Sequence, residues 1–241
     1  MDGIVGPLRL GWNALLFNED AYEEMSGSAS PIVRGLIFIA VVGVVIAICA
    51  FIGTGLELAS TPNMAEIKDT VFFYMQQMPW WDIVAQEDPE AFARFEESFN
   101  RGWDIFPRMF GAPDMGSAAM GIIAIPLGLI IRWFFYGLLA YLFARWLGGT
   151  GSLGATLGVL ALAVAPQVLR VLTIIPFVQV GGIVAIWGIL VAYYGLKTSH
   201  DLPRTRALWA TLLPFVLVVA VLIVLGCCGT GILGAVLGGK S

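Results

Sequence analysis

Arg132 stands between Ile131 and Trp133 near the middle of a long apolar run, Gln167 follows Ala165-Pro166 inside another, and Arg170 comes one turn later. Guanidinium and amide groups set in hydrocarbon suit contact with a substrate or a lipid headgroup. A lipid-facing arginine at mid-bilayer costs about 2.5–3.5 kcal/mol on insertion scales, so such groups turn inward, find a carbonyl or carboxylate, or open onto a polar cavity. If instead the helix proper begins near Pro126, Arg132 snorkels to the interface and the stretch 117–125 is a separate or re-entrant piece. Pro166 removes a helix donor and frees a carbonyl. It either kinks its span against the neighbours or exposes backbone to an ion or substrate. Arg132, Gln167 and Arg170 are therefore a candidate intramembrane polar site, one layer if the three face each other. No carboxylate lies deep in any apolar run, which counts against a proton- or cation-coupled transporter.

Other chemistries find little support. His200 is the single histidine, placed after Leu196 and Lys197 and read as an interfacial residue; with Asp201 alone it cannot complete a metal site. Gly148-Gly149-Thr150-Gly151 lacks the Gly-Lys-Ser or Gly-Lys-Thr ending of a nucleotide loop and reads as a tight turn. Cys49 sits in an apolar run and Cys227 and Cys228 are adjacent at the end of another, which suits packing rather than a disulfide framework. No nucleophile motif or acid–base pair is present, so no catalytic residue, metal or cofactor is expected.

The elements that must position these groups are five apolar runs near residues 35–56, 118–147, 153–173, 178–196 and 207–226. Each is long enough to cross about 30 Å of hydrocarbon as a helix, and a helix satisfies its own backbone there. With 59% hydrophobic and 12% charged residues and a mean hydropathy of +0.86, little is left for a soluble domain. The fold class is all-α, a polytopic integral membrane protein with five transmembrane helices. Four parts are expected: an interfacial amphipathic segment at 1–34, the first span at 35–58, an acidic aromatic-rich extracytoplasmic loop at 59–116, and a four-helix membrane region at 117–241. The first run is span-length and is expected to remain as an anchor rather than serve as a cleaved signal. Gly154 with Gly158 and Gly234 with Gly238 repeat the small-residue spacing that lets helices approach closely.

Leu8, Trp12, Leu15 and Leu16 fall at helical spacing, with Glu19, Asp20, Glu23 and Glu24 behind them, which predicts an interfacial helix over 4–25. In the loop, Asp88-Pro89-Glu90 is a helix start, and Phe92, Phe95, Phe99 and Trp103 then share one stripe. Two short helices fit between the loop prolines. The stripe, with Trp80 and Trp81, either packs on the spans and the interface or recruits another subunit. The region 57–114 holds eleven carboxylates against Lys68, Arg94, Arg101 and Arg108, which argues against nucleic acid as a partner. Arg9, Arg34, Arg145, Lys197, Arg204 and Arg206 gather on one side of the spans, against Lys68, Arg108, Arg170 and Lys240 on the other. That asymmetry predicts a cytoplasmic N-terminus, an external loop and an extracytoplasmic C-terminus.

The order Arg145-Trp146-Leu147-Gly148-Gly149-Thr150-Gly151-Ser152-Leu153, then Ala165-Pro166, Trp187, Gly195-Leu196-Lys197 with His200, and Pro214 resembles the Yip1 domain family in its bacterial form. The resemblance covers most of the chain from about residue 118, and the N-terminal segment and first span agree in layout. It implies a five-span membrane domain with a cytoplasmic N-terminus, in a bacterial cytoplasmic membrane. Eukaryotic members associate with Rab-type GTPases and with one another. The chain lacks their Asp-Leu-Tyr-Gly-Pro-type sequence and carries a large acidic loop, so GTPase binding is not carried over to it.

The expected function is non-enzymatic: an accessory or scaffolding subunit that binds membrane lipids and other membrane-protein subunits or itself. The alternative is a small transporter, channel or lipid-handling protein using the layer around Arg132, Gln167 and Arg170.

Overall fold

The computed structural model describes residues 2–60, 64–109, 114–175 and 178–238, with side chains described over 5–60, 66–105, 114–175 and 178–226. Five helices are long and apolar enough to cross a membrane: Pro31–Ser60, Met115–Trp146, Leu153–Ile174, Gly181–His200 and Arg204–Gly226. No strand is found among the described residues. In chain order the helices are α1 (Asp2–Leu15), α2 (Glu19–Ser26), α3 (Pro31–Ser60), α4 (Met64–Gln76), α5 (Trp81–Glu87), α6 (Pro89–Met109), α7 (Met115–Trp146), α8 (Leu153–Leu162), a 3-10 helix (Ala165–Ile174), α9 (Gly181–His200) and α10 (Arg204–Gly238).

Local chemistry marks where the spans start and stop. Pro31 opens α3, where its missing N–H and fixed φ cost nothing. Asp114 caps α7, its Oδ2 accepting from the Ser117 N–H at 2.7 Å, and Ser152 caps α8 through the Ala155 N–H at 3.1 Å. The two internal prolines behave differently. Pro126 leaves α7 continuous, so the stretch 117–125 is not a separate piece; the proline lies against α3, where a Cβ on Gly43 would come within 2.9 Å of its Cα. Pro166 ends α8, because it has no N–H for the Leu162 carbonyl and its ring crowds that oxygen. The chain then tightens into ten residues of 3-10 helix instead of simply kinking.

Helix α3 is the centre of the bundle, packed on α7, α8 and the 3-10 helix, while α9 lies against α8 and α10 closes on α7 and α9. Small residues permit the close crossings. A Cβ on Gly158 would lie 2.5 Å from Pro31 Cβ, whereas one on Gly154 meets nothing nearer than Ser152 Oγ at 3.9 Å. Gly234, Gly238, Cys227 and Cys228 lie outside the residues whose side chains are described.

The N-terminal segment is two helices, not the single helix expected over 4–25. The chain breaks at 16–18, where Phe17 takes a positive φ of 57°, and Asn18 caps α2 by accepting from the Asp20 N–H. α1 and α2 fold back on one another, with Arg9 bridging Glu24 at 3.0 Å and the Tyr22 hydroxyl donating to the Ala14 carbonyl. Leu10, Ala14, Ala21, Tyr22 and Met25 face the spans, and Leu8, Trp12 and Leu16 are the exposed stripe. Between α3 and α7 the described residues form three helices rather than two. α6 begins where expected, with Asp88 Oδ1 accepting from the Ala91 N–H at 2.9 Å.

Candidate functional site

Helix α7 turns Trp133, Gly137, Ala140 and Ala144 into the bundle, a three- to four-residue spacing that makes one buried stripe. Trp133 donates from Nε1 to the Leu157 carbonyl at 2.8 Å, which sets the rotation of α7 against α8. On the neighbouring face Tyr136 donates its hydroxyl to the Thr211 carbonyl of α10 at 3.1 Å and packs on Phe215, ring centroids 5.1 Å apart. Arg132 sits one turn before Tyr136 on that same face. It is exposed, and no hydrogen bond or ion pair is found for it among the described residues.

A cavity of about 330 Å³ opens beside it. Leu129, Phe135, Tyr136 and Leu139 of α7 form one wall, Leu160 the floor, Ala185, Ile189 and Ala192 of α9 the second wall, and Pro214, Phe215, Val218 and Val219 of α10 the third. Among the described residues of its lining, Arg132 alone is charged. The Tyr136 hydroxyl is occupied by α10 and the Trp133 N–H by α8, so among the described residues the guanidinium is the side-chain donor there that has no protein partner. Such a site can hold one anion with an apolar body.

Arg170 goes elsewhere. It lines a second cavity of about 360 Å³ together with Thr54 and Glu57 of α3, Ile125 of α7, Thr173 of the 3-10 helix and the turn 178–181. Thr54 and Thr173 spend their hydroxyl protons on the Ala50 and Arg170 carbonyls. Gln167 belongs to the lining of neither cavity; it is buried, and its Oε1 has no hydrogen-bond partner among the described residues. The single polar layer is thus corrected. Arg132 and Arg170 face different cavities, because the tightening after Pro166 changes the rotation and rise of every residue that follows it.

His200, expected at the interface, ends α9 beside the 148–151 turn. It is wholly buried. Its Nδ1 lies 3.2 Å from the Gly151 N–H and its Nε2 2.7 Å from Thr156 Oγ1. An amide only donates, so Nδ1 accepts and Nε2 carries the proton; Thr156 in turn donates to the Ser152 carbonyl at 2.8 Å. The Gly148–Gly151 stretch is indeed a turn, and its composition follows from this histidine. A Cβ on Gly149 would lie 2.7 Å from His200 Nδ1, and one on Gly151 would strike the Ser199 carbonyl. Gly148 takes a φ of +92°. Arg145 and Arg206 close the same corner by donating to the Gly149 and Leu147 carbonyls at the end of α7, where a helix favours cations.

The aromatic candidates of the loop turn toward each other. Trp81 is only 7% exposed and meets Phe92 edge-on at 4.8 Å, Phe72 at 5.3 Å and Phe95 at 6.3 Å. Phe99 packs on Phe72, Phe95 and Trp103. Trp80 stays outside, 41% exposed, with Phe73, Tyr74 and Ile83 more exposed still. Tyr136, Phe215, Glu57 and Thr156 were not singled out from sequence. The four-residue step from Arg132 to Tyr136 was a legible signal, since it places the two side chains one above the other on a helix.

Fold and site together define a class: a polytopic α-helical membrane protein with a lone cation at an apolar cavity within its spans. The model of the Yip1 domain matches residues 12–225, and the chain belongs to that family. No curated protein and no solved structure matches it.

Proposed function

We propose that the chain is a non-catalytic binding protein of its membrane, an accessory or scaffolding subunit whose outer helices α4–α6 dock another membrane protein or a second copy of itself. One observation carries this: the loop's aromatic residues build a core of their own, which holds a shaped unit with Trp80, Phe73, Tyr74 and Ile83 on its surface. Aromatic pairs of this kind contribute about 0.5–1.5 kcal/mol each beyond their buried area. Exposed aromatic residues on a rigid support suit interface anchors. The docking residues proposed here are Trp80, Phe73, Tyr74 and Ile83, while Trp81, Phe92, Phe95, Phe99 and Trp103 support them. Purification of the tagged chain from its native membrane in mild detergent tests this. A partner recovered in stoichiometric amount with the parent chain should be lost from the Phe73→Ser/Ile83→Ser variant, and equal recovery from both chains would sink the docking proposal.

The membrane is proposed to be a bacterial cytoplasmic membrane, with the N-terminus inside and the loop and C-terminus outside. Support comes from the cations at the end where Arg145, Lys197, Arg204 and Arg206 lie. A second proposal, lipid handling or transport through the spans, is favoured by the Arg132 cavity. Its apolar wall suits an amphiphile better than a hydrated ion.

A further inference from the structure

We propose that the cavity between α7, α9 and α10 is a binding site for an anionic phospholipid, its phosphate on Arg132 and one acyl chain along Phe135, Leu139, Ile189 and Val218. This goes beyond the docking proposal and narrows the lipid-handling one to a ligand class and a residue. Charge complementarity selects the occupant. Arg132 is exposed within a span, has no carboxylate or carbonyl partner among the described residues, and is the one charge on an otherwise apolar wall. A guanidinium left facing hydrocarbon is costly, and a lipid phosphate offers two oxygens in the geometry that its planar fork matches.

Depth agrees. Arg132 precedes Arg145 by 13 residues, about 20 Å along the axis at 1.5 Å per residue. If Arg145 marks one boundary, Arg132 lies about 10 Å inside the other boundary of a core of about 30 Å. Helical side chains lean toward the helix N-terminus, so the guanidinium reaches toward the boundary on the loop side. Residues Phe135 and Leu139 lie deeper, as an acyl chain hanging from a phosphate at Arg132 requires. The volume of about 330 Å³ is at the low end of ligand pockets. It accommodates one chain of a diacyl lipid and leaves the second in the bilayer.

The test uses the full chain in mild detergent, mixed with equal amounts of phosphatidylglycerol and phosphatidylcholine, with retained lipid read by native mass spectrometry. The parent chain should retain phosphatidylglycerol about tenfold over phosphatidylcholine: both offer the phosphodiester, but choline's quaternary ammonium sets a second cation close to the guanidinium and cancels the net charge that attracts it. Arg132→Gln should abolish that preference, and Arg132→Lys should keep part of it. Ala185→Phe, which fills the cavity from an exposed position, should lower retention of both lipids while Arg132 is intact. Equal retention of the two lipids by the parent chain would overturn the proposal, as would an unchanged preference in Arg132→Gln. So would displacement of phosphatidylglycerol by an equal amount of palmitate, which would assign the site to a free fatty acid. The Phe73→Ser/Ile83→Ser variant should retain lipid like the parent, so failure of this proposal is distinguishable from failure of outer-loop docking.

Discussion

His200 Nε2 lies 2.7 Å from Thr156 Oγ1, and this contact fastens the last residue of α9 to the first turn of α8. Thr156 cannot be replaced by its apolar shape-mate without a loss, because the ring N–H would remain buried with no acceptor. Thr156→Val should lower stability by about 1–3 kcal/mol, the usual cost of an orphaned buried polar group. The measurement is thermal unfolding in detergent, and an unchanged midpoint would show that the contact holds nothing. Gly151→Ala should act in the same direction through the Ser199 carbonyl.

The two glycines of the α8 pair should behave unequally. A Cβ on Gly158 meets Pro31 at the start of α3 at 2.5 Å, but Gly154 has room. Gly158→Ala should destabilise the chain by about 1–3 kcal/mol through overpacking, with Gly154→Ala near neutral. Equal effects would mean that the pair serves a contact other than the α3–α8 crossing.

Within the loop between α3 and α7, Trp81 and Ile83 separate support from surface. Trp81→Ala removes the ring around which Phe72, Phe92 and Phe95 are arranged, a loss of about 3–5 kcal/mol to the packing of that unit. Limited proteolysis should then cut within 64–109 while the spans stay intact. Ile83→Ser, at an exposed position, should leave the cleavage pattern unchanged. Rapid cutting of the Ile83 variant would contradict this division of roles.

Acid should loosen the start of α7. The Ser117 amide first, then the Gly116 amide and the Ser117 side chain, hold the Asp114 carboxyl below the usual carboxylate range. A carboxyl with a depressed folded-state pKa contributes stability that is fully present above its unfolded pKa and is lost as pH falls through the folded one. Asp114→Asn keeps a capping side chain without the charge, so its unfolding midpoint should fall less steeply on acidification than the parent's. Parallel acid limbs would assign the dependence to other carboxylates. Glu19, held low by the hydrogen bond from Lys197, is the control: Glu19→Gln should remove a separate share of the acid response.

Labelling fixes the sidedness. With Cys49, Cys227 and Cys228 replaced by serine, Ala29→Cys should react with an impermeant maleimide only after the cells are opened, and Glu66→Cys in intact cells. The reverse pattern would invert the proposed topology.

Five spans, their approximate limits, the Asp88-Pro89 helix start and the turn at Gly148–Gly151 were all legible in the amino-acid order. A run of about 20 apolar residues admits one backbone solution in hydrocarbon, and capping and turn chemistry act over a few residues. Which way each span faces was not legible. The spans are apolar on every side, so periodicity carries no signal for their rotation. Only packing decided that Arg132 and Arg170 face separate cavities, that His200 is buried against Thr156, and that Trp81 turns into its own loop while Trp80 stays outside. The break at 16–18 was hidden for a related reason. Phe17 takes its strained backbone between Trp187 and Tyr194, partners about 170 residues further along the chain that no local pattern could announce.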